Sequence, residues 1–428
     1  KGKLKEKHLT MGERFRLRAV AKSIRNFNTY DNQLQTYRFF YENLPDGVSA
    51  QLQLPTVDNA KNLTAEGIRS LNNQIASNYQ WIINTIPMVD PTTIPLNCNG
   101  NEGNDPSGVA GDRTGNTDAC NVYSATGLMK NYSWEGKQHI SCVKNQAARG
   151  TCPSFSTVST MEWGIHKKYG IRANLSEQAL YAKMKLVWGG GQHLGDGYWP
   201  VPGINSSYAE RYLVPWERQW NYNPSSYRQN IMGPGADTML GTMDDVLLGY
   251  NHSCDSYSGI CSETTHQTYF VCTRILGIAA YCAYTYPDIN PGGEGYRLAS
   301  GDVTTLFDPA NRDLSVAKMI LAVAFRSPVI WGFDVQTSSW SPDANGYVTH
   351  LSSTENARIG GHAVHAVGMI SNSRLAQLIP SAPAGSGGGY FIVKNSWNNC
   401  WGDAGFAYIP FDSVRDYSLE IVAAPPVD

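Results

Sequence analysis

Apolar residues recur at helical spacing through the first 90 positions. Leu17, Val20, Ile24 and Phe27 form one stripe, so residues 10–28 read as an amphipathic helix. Leu34, Tyr37, Tyr41 and Leu44 mark a second helix over 31–44. Ala50, Leu52 and Leu54 alternate, which predicts a short strand ended near Pro55. Thr64, followed by Glu66, caps a helix running to about Asn84. The pattern then stops: residues 91–130 are rich in Gly, Asn and Asp and read as a loop or linker, with Cys98 and Cys120 as a clip. Helical spacing returns at 151–163, a run without glycine in which Phe155, Val158 and Met161 share a face and Cys152 opens the helix. Gly189 to Gly235 is dense in Gly, Trp, Tyr and Pro and precedes Cys254, Cys261, Cys272 and Cys282, which predicts a stapled surface excursion. Ser371 to Gly389 reads as an exposed hairpin loop.

Length and charge narrow the classes. A chain of 428 residues can hold two or three domains and a sizeable core. The net charge of −2 gives no general electrostatic case for nucleic acid. Residues 1–25 carry nine Lys or Arg against Glu6 and Glu13, which fits a membrane- or partner-binding arm or the solvated face of the first helix. No apolar run reaches the ~18 residues that span a bilayer, so no transmembrane segment is expected. The chain opens Lys1-Gly2-Lys3-Leu4 without a signal pattern, and any targeting segment is expected to be removed or not included. Sequons at Asn62, Asn131, Asn174, Asn205 and Asn251 permit a secreted protein, although roughly four would arise by chance. No CxxC pair occurs, so neither a zinc site nor another cofactor is expected.

Three residues in order carry the chemistry. Cys152 lies in Gln146-Ala147-Ala148-Arg149-Gly150-Thr151-Cys152-Pro153-Ser154-Phe155-Ser156. His362 lies in Gly361-His362-Ala363-Val364-His365, and Asn395 in Lys394-Asn395-Ser396-Trp397. A thiol attacks a carbonyl as thiolate, which calls for a nearby base and a third group to orient that base. A helix N-terminus lowers a thiol pKa, and Pro153 falls in the first turn, where its missing N–H costs nothing. His365, three residues from His362, falls on the other face of a strand and reads as a core histidine.

These blocks resemble the papain-like cysteine peptidases: 143–162 their nucleophile segment, and 361–368 and 390–406 their histidine strand and Asn-Ser-Trp segment. Leu175-Ser176-Glu177-Gln178 resembles the family's second helix start. The segment Ala317 to Val335 resembles the helix and strand before the histidine. The resemblance covers about half of 134–428 and implies an α+β, two-lobed fold with a helical lobe facing a β-barrel-like lobe. It implies Cys152 as nucleophile, His362 as base, Asn395 as its orienting group and Trp397 as a shield. Gln146 would be the oxyanion donor beside the Cys152 N–H. The reaction implied is hydrolysis of a peptide or protein substrate through a thioester. The layout helix, helix, strand, helix resembles the family's inhibitory propeptide. Residues 1–90 are therefore read as a propeptide-like domain acting as the chain's own inhibitor, 91–133 as the activation linker, and 134–428 as the catalytic domain. Mild acid is expected to loosen the inhibitor's docking contacts. A peptidase-derived structural or binding subunit that keeps its propeptide, and acyl transfer on the same triad, are the other readings.

The chain departs from that pattern in three places. Arg149 and Pro153 stand where the family has cysteine and tryptophan, and Gly189-Gly190-Gly191 lacks the cysteine that would pair with the first. The distance from Cys152 to His362 is 210 residues against about 130–150 in the family, so a large insertion lies within 186–312. Nine cysteines leave one over in an oxidising compartment, with Cys152 as the natural odd thiol and a secreted or lysosome-like setting implied. A reduced intracellular protein with scattered thiols is the alternative. Cys142 and Cys400, each close in sequence to a cleft residue, are the expected pair.

Overall fold

The computed structural model describes residues 29–85, 118–120, 122–147, 149–186, 231–233, 246–248, 269–275, 278–285, 295–298, 304–325, 328–336, 340–350 and 358–423, with scattered positions between 200 and 222 and Val427. The helix expected over 10–28 lies outside them, as do Cys98 and most of the linker. The longer helices are α1 (Tyr30–Glu42), α2 (Ala65–Ser77), α3 (Tyr79–Thr85), α4 (Cys152–Tyr169), α5 (Glu177–Leu186), α6 (Arg312–Phe325), α7 (Asn372–Leu378) and α8 (Phe411–Tyr417). The strands are β1 (Ile231–Gly233), β2 (Val246–Leu248), β3 (Tyr269–Ile275), β4 (Ile278–Thr285), β5 (Thr304–Thr305), β6 (Val329–Gln336), β7 (Arg358–Ser371), β8 (Gly389–Lys394), β9 (Phe406–Pro410) and β10 (Ser418–Ala423).

Six strands build one antiparallel sheet in the order β5-β10-β6-β7-β8-β9. Its residues Val329, Trp331, Val364, Phe391, Val393 and Ile409 share a core with Val316, Met319, Ile320 and Val323 of α6. β8 is buried along its whole length, which is why Tyr390-Phe391-Ile392-Val393 shows no alternation of apolar and polar residues. A second core joins Cys152, Val158, Met161 and Ile165 of α4 to Leu175, Leu180, Ile204, Val214 and Leu298, and meets the sheet at Ile330, Ala363 and Val422. The fold is therefore α+β, a helical lobe set against a sheet lobe.

Thr64 caps α2 as expected, its hydroxyl accepting from the Gly67 N–H at 3.1 Å, but the helix ends at Ser77 and restarts as α3. In α1 the buried face is Gln33, Thr36, Tyr37 and Phe40, while Leu34, Tyr41 and Leu44 pack half-buried beside it. The strand expected at Ala50–Leu54 is instead one helical turn, Val48–Gln51. Its N–H groups find carbonyls within the turn, Gln51 to Gly47 and Leu52 to Val48, where a strand would need a neighbour.

The insertion is not wholly a surface excursion. β1 to β4 form a separate antiparallel sheet, yet Ile204, Val214, Tyr222 and Leu298 are buried in or against the helical lobe. The loop after β7 is not a bare hairpin either. It contains α7, and its Gly387 carbonyl accepts from the Tyr79 hydroxyl at 2.6 Å and from the Gln80 amide. Gly388 lies at φ +99°, and a Cβ there would run into the Gln80 side chain.

Both expected disulfides are overturned. Cys120 bonds to Cys400, closing a loop of 280 residues in sequence, so neither a Cys98–Cys120 clip nor a Cys142–Cys400 pair exists. Cys142 is disulfide-bonded elsewhere. Spacing along the chain could not show that Cys120 returns to the wall beside Trp401. Asn174, one of the five sequons, is buried and closed to a glycan.

Candidate active site

The Cys152 helix begins where the sequence places it. Thr151 is the N-cap, Cys152 opens α4 with Pro153 in the first turn, and Gly170 ends it in the left-handed conformation at φ 70°. Cys152 is buried and stands in no disulfide. From Cys152 to Trp163 every residue of α4 is buried, so the polar ones need partners. The Lys144 ammonium bridges Glu162 at 2.8 Å and Glu177 at 2.7 Å, tying α4 to the start of α5. Ser159 meets the His365 Nδ1 at 2.9 Å, which accounts for His365 as a core histidine.

His362 lies on β7 opposite Phe333 of β6. Its neighbour Ala363 shares the buried cluster of Cys152, which brings the histidine strand against the head of α4. The His362 Nε2 is 2.8 Å from the Asn395 Oδ1. That oxygen also accepts the Ser396 N–H at 2.8 Å, so it is the acceptor and Nε2 carries the proton. The tautomer leaves Nδ1 as the basic nitrogen. Trp397 stacks on the imidazole at 4.6 Å and 30°, a shield over the Nε2–Oδ1 bond. Trp340 and Phe333 meet the ring edge-on at 6.0 and 5.7 Å, and Trp401 stacks on Trp340 at 5.5 Å. In this aromatic surround, burial pushes the His362 pKa down to about 4, while the Asn395 hydrogen bond acts the other way.

Gln146 is stitched to the same segment. Its backbone N–H donates to the Ser396 carbonyl at 2.8 Å, and its Oε1 accepts from the Ser396 hydroxyl at 2.6 Å. Its Nε2 donates to the Arg149 carbonyl at 2.6 Å. Asn395 is held from below by its N–H to Gly405 O at 3.0 Å. Gly405 is required there, since at φ +93° a Cβ would strike Val143. Thus Gln146, His362, Asn395 and Trp397 come together in one cluster, with Cys152 at the helix end beside it.

Arg149, which stands where the family has a cysteine, turns into the helical lobe. Its guanidinium bonds the Gln178 Oε1 at 3.0 Å and lies over the rings of Tyr181 and Tyr222, at 4.8 and 5.4 Å. Sequence reasoning missed Trp340, Ser396 and Tyr222. Ser396 sits inside a recognised motif and was within reach; Trp340 and Tyr222 lie in loops with no periodic signal.

Residues 252–424 match the family model described as papain family cysteine protease, a span that holds His362 and Asn395 and excludes Cys152. An uncharacterized peptidase C1-like protein of Acanthamoeba polyphaga mimivirus is 33% identical over 93 residues, 22% of this chain and 25% of the relative, so the match spans about a quarter of that relative's length. Among solved structures the chain is similar to the bromelain protease of Ananas comosus, at 17% identity and a TM-score of 0.38 over 68% of this chain and 96% of that one. Xylellain, a cysteine protease of Xylella fastidiosa, is 16% identical with a TM-score of 0.39 over 67% and 83%. Procathepsin B of Trypanosoma congolense is 16% identical with a TM-score of 0.36 over 67% and 73%.

Proposed function

From a chain whose residues 252–424 are papain-family in sequence, and whose helix α4 packs on their histidine strand, we propose a cysteine endopeptidase acting through Cys152, His362 and Asn395. The observation that carries this reading is the His362–Asn395 hydrogen bond under Trp397, in the tautomer that leaves Nδ1 free to take the thiol proton. Cys152 attacks the peptide carbonyl; its proton passes to His362, which returns it to the leaving amine. The resulting thioester is hydrolysed by water. Gln146 and the Cys152 N–H hold the oxyanion. The substrate is a peptide or protein, and no cofactor enters the reaction. The Cys120–Cys400 disulfide supports an oxidising, secreted or lysosome-like compartment. Among the described residues, no helix is long and apolar enough to cross a membrane.

The chain is a zymogen in this reading, with residues 1–90 as its inhibitory part and 91–133 as the segment that is cut. Among the described residues, 29–85 make hydrogen bonds to Asn311, Ser371, Ser373 and Gly387. The sharing of an apolar core between 29–85 and α6 favours a second reading, in which that unit is retained as a permanent subunit.

The test is one equivalent of a thiol-directed peptidyl electrophile, added after the chain has been cut within 91–117, with the adduct located by mass. Uptake at Cys152, and peptide hydrolysis lost in Cys152→Ser, are expected. Hydrolysis at the wild-type rate by Cys152→Ser would remove the assignment.

A further inference from the structure

Tyr222 comes from the insertion, yet it ends at the nucleophile loop. Its ring is 2% exposed and meets Phe155 of α4 edge-on at 4.8 Å. Its hydroxyl donates to the Gln146 carbonyl at 2.8 Å. A phenol has one proton, so the 2.7 Å contact with Thr151 Oγ1 must be a bond donated by threonine. One oxygen thus grips both ends of the loop that runs from Gln146 to the residue before Cys152. That loop needs holding, because Ala147 sits at φ 54°, a conformation disfavoured for a residue with a Cβ.

The grip is itself anchored. The Tyr222 N–H donates to the fully buried Glu217 at 2.6 Å. Glu217 follows a segment fixed to the start of α5: the Ser176 N–H reaches the Pro215 carbonyl and the Glu217 N–H the Asn174 carbonyl, each at 2.9 Å. The Arg149 guanidinium, midway along the loop, lies between the Tyr222 and Tyr181 rings.

We propose that Tyr222 is a positioning residue for the oxyanion site: by binding Gln146 and Thr151 at once, its hydroxyl sets the Gln146 amide and the Cys152 N–H in register with each other. This rests on the peptidase reading of the site. An oxyanion donor is worth about 10²–10³ in turnover, and loosening two donors without removing either is expected to cost about tenfold.

Two probes of Cys152 separate positioning from plain stability. A peptidyl aldehyde forms a tetrahedral adduct whose oxygen sits in the oxyanion site; iodoacetamide alkylates the sulfur and makes no oxyanion. Tyr222→Phe removes the hydroxyl and keeps the ring. It is expected to weaken the aldehyde and lower kcat about tenfold, with KM and the iodoacetamide rate unchanged. Thr151→Val should follow it, and Thr151→Ser, which keeps the hydroxyl, should behave as wild type. If both probes fall together, Tyr222 only supports the fold, and the proposal is overturned. Unchanged aldehyde affinity in Tyr222→Phe overturns it as well. A wild-type chain that binds no aldehyde at Cys152 even after it has been cut within 91–117 removes the peptidase reading itself, and this inference with it.

Discussion

Replacing Asn395 by alanine tests the central hydrogen bond of the site. The side chain holds one face of His362, through Oδ1 at 2.8 Å from Nε2. Burial disfavours the imidazolium, holding the His362 pKa down to about 4, against the pull of the Asn395 hydrogen bond. When His362 takes the thiol proton it becomes a buried cation, and the bond to Oδ1 becomes charge-assisted. Such bonds contribute about 1.5–3 kcal/mol, against about 0.5–1.5 for neutral ones. Only the difference, about 1–1.5 kcal/mol, is gained on reaching the transition state, so at 1.36 kcal/mol per tenfold in rate Asn395→Ala should lower kcat by about 5- to 13-fold. KM should hold, since Asn395 is 2% exposed and closed to direct contact with a substrate. The same loss of imidazolium stabilisation should slow alkylation of Cys152 at neutral pH. Initial rates with a peptide substrate, and iodoacetamide kinetics between pH 5 and 8, measure both. A variant with unchanged kcat, or one in which KM alone rises, would refute the orienting role.

Gln146→Ala should lower kcat by ~10²–10³ with little effect on KM. It should also melt lower, because Ser396 Oγ and the Arg149 carbonyl both lose a partner. Mass mapping of the unreduced chain should recover a Cys120–Cys400 peptide; a Cys142–Cys400 peptide would contradict the fold. Burial lowers His362 to about 4 against about 6.5 unfolded, so the unfolded chain binds the proton first. Stability should then fall as pH drops from about 6.5 to 4, by roughly 3 kcal/mol, with His365 shifting it in the same direction; urea melts across that range would show a flat profile if this is wrong.

The parts of the site that were legible in the sequence are those fixed by local chemistry. Cys152 opening a helix, Asn395 beside Ser396 and Trp397, and His362 in a strand each follow from neighbours within a few residues. What could not be read are contacts closed over long separations. Cys120 to Cys400 spans 280 residues, and Tyr222 reaches back 71 residues to Thr151. Nor did local alternation decide Ala50–Leu54. Two alternating leucines suit a strand, but no neighbour pairs with them there, and the backbone closed on itself as a turn. The polar residues of α4 are buried as well: Glu162 pairs with Lys144 and Ser159 meets His365, partners that lie far off in the sequence.

The helical unit 29–85 bears on how such a zymogen would be activated. Helix α6 is apolar on two sides: Val316, Met319, Ile320 and Val323 enter the sheet core, while Leu314, Ala317 and Leu321 pack with Tyr37, Phe40, Ile68, Ile75 and Ile82. Returning Leu314 and Leu321 alone to water would cost roughly 3–6 kcal/mol, at about 1.5–3 for each buried leucine. Among the described residues, hydrogen bonds that add to this interface join neutral groups: the Tyr79 hydroxyl on the Gly387 carbonyl, and Ser371 and Ser373 on Asn84, with Asp313 and Asp412 acting on Tyr79 only through space. Mild acid has no carboxylate to protonate in these bonds, so the expectation of acid release finds no support in them. Cutting the chain within 91–117, ahead of the Cys120–Cys400 disulfide, should therefore leave 29–85 docked. After such a cut, size-exclusion chromatography at pH 5 should recover both fragments in one peak, with activity present. Separation into two peaks at pH 5 without denaturant would mean that the apolar dock is weaker than its burial implies, and that release of the whole N-terminal unit is the activating step.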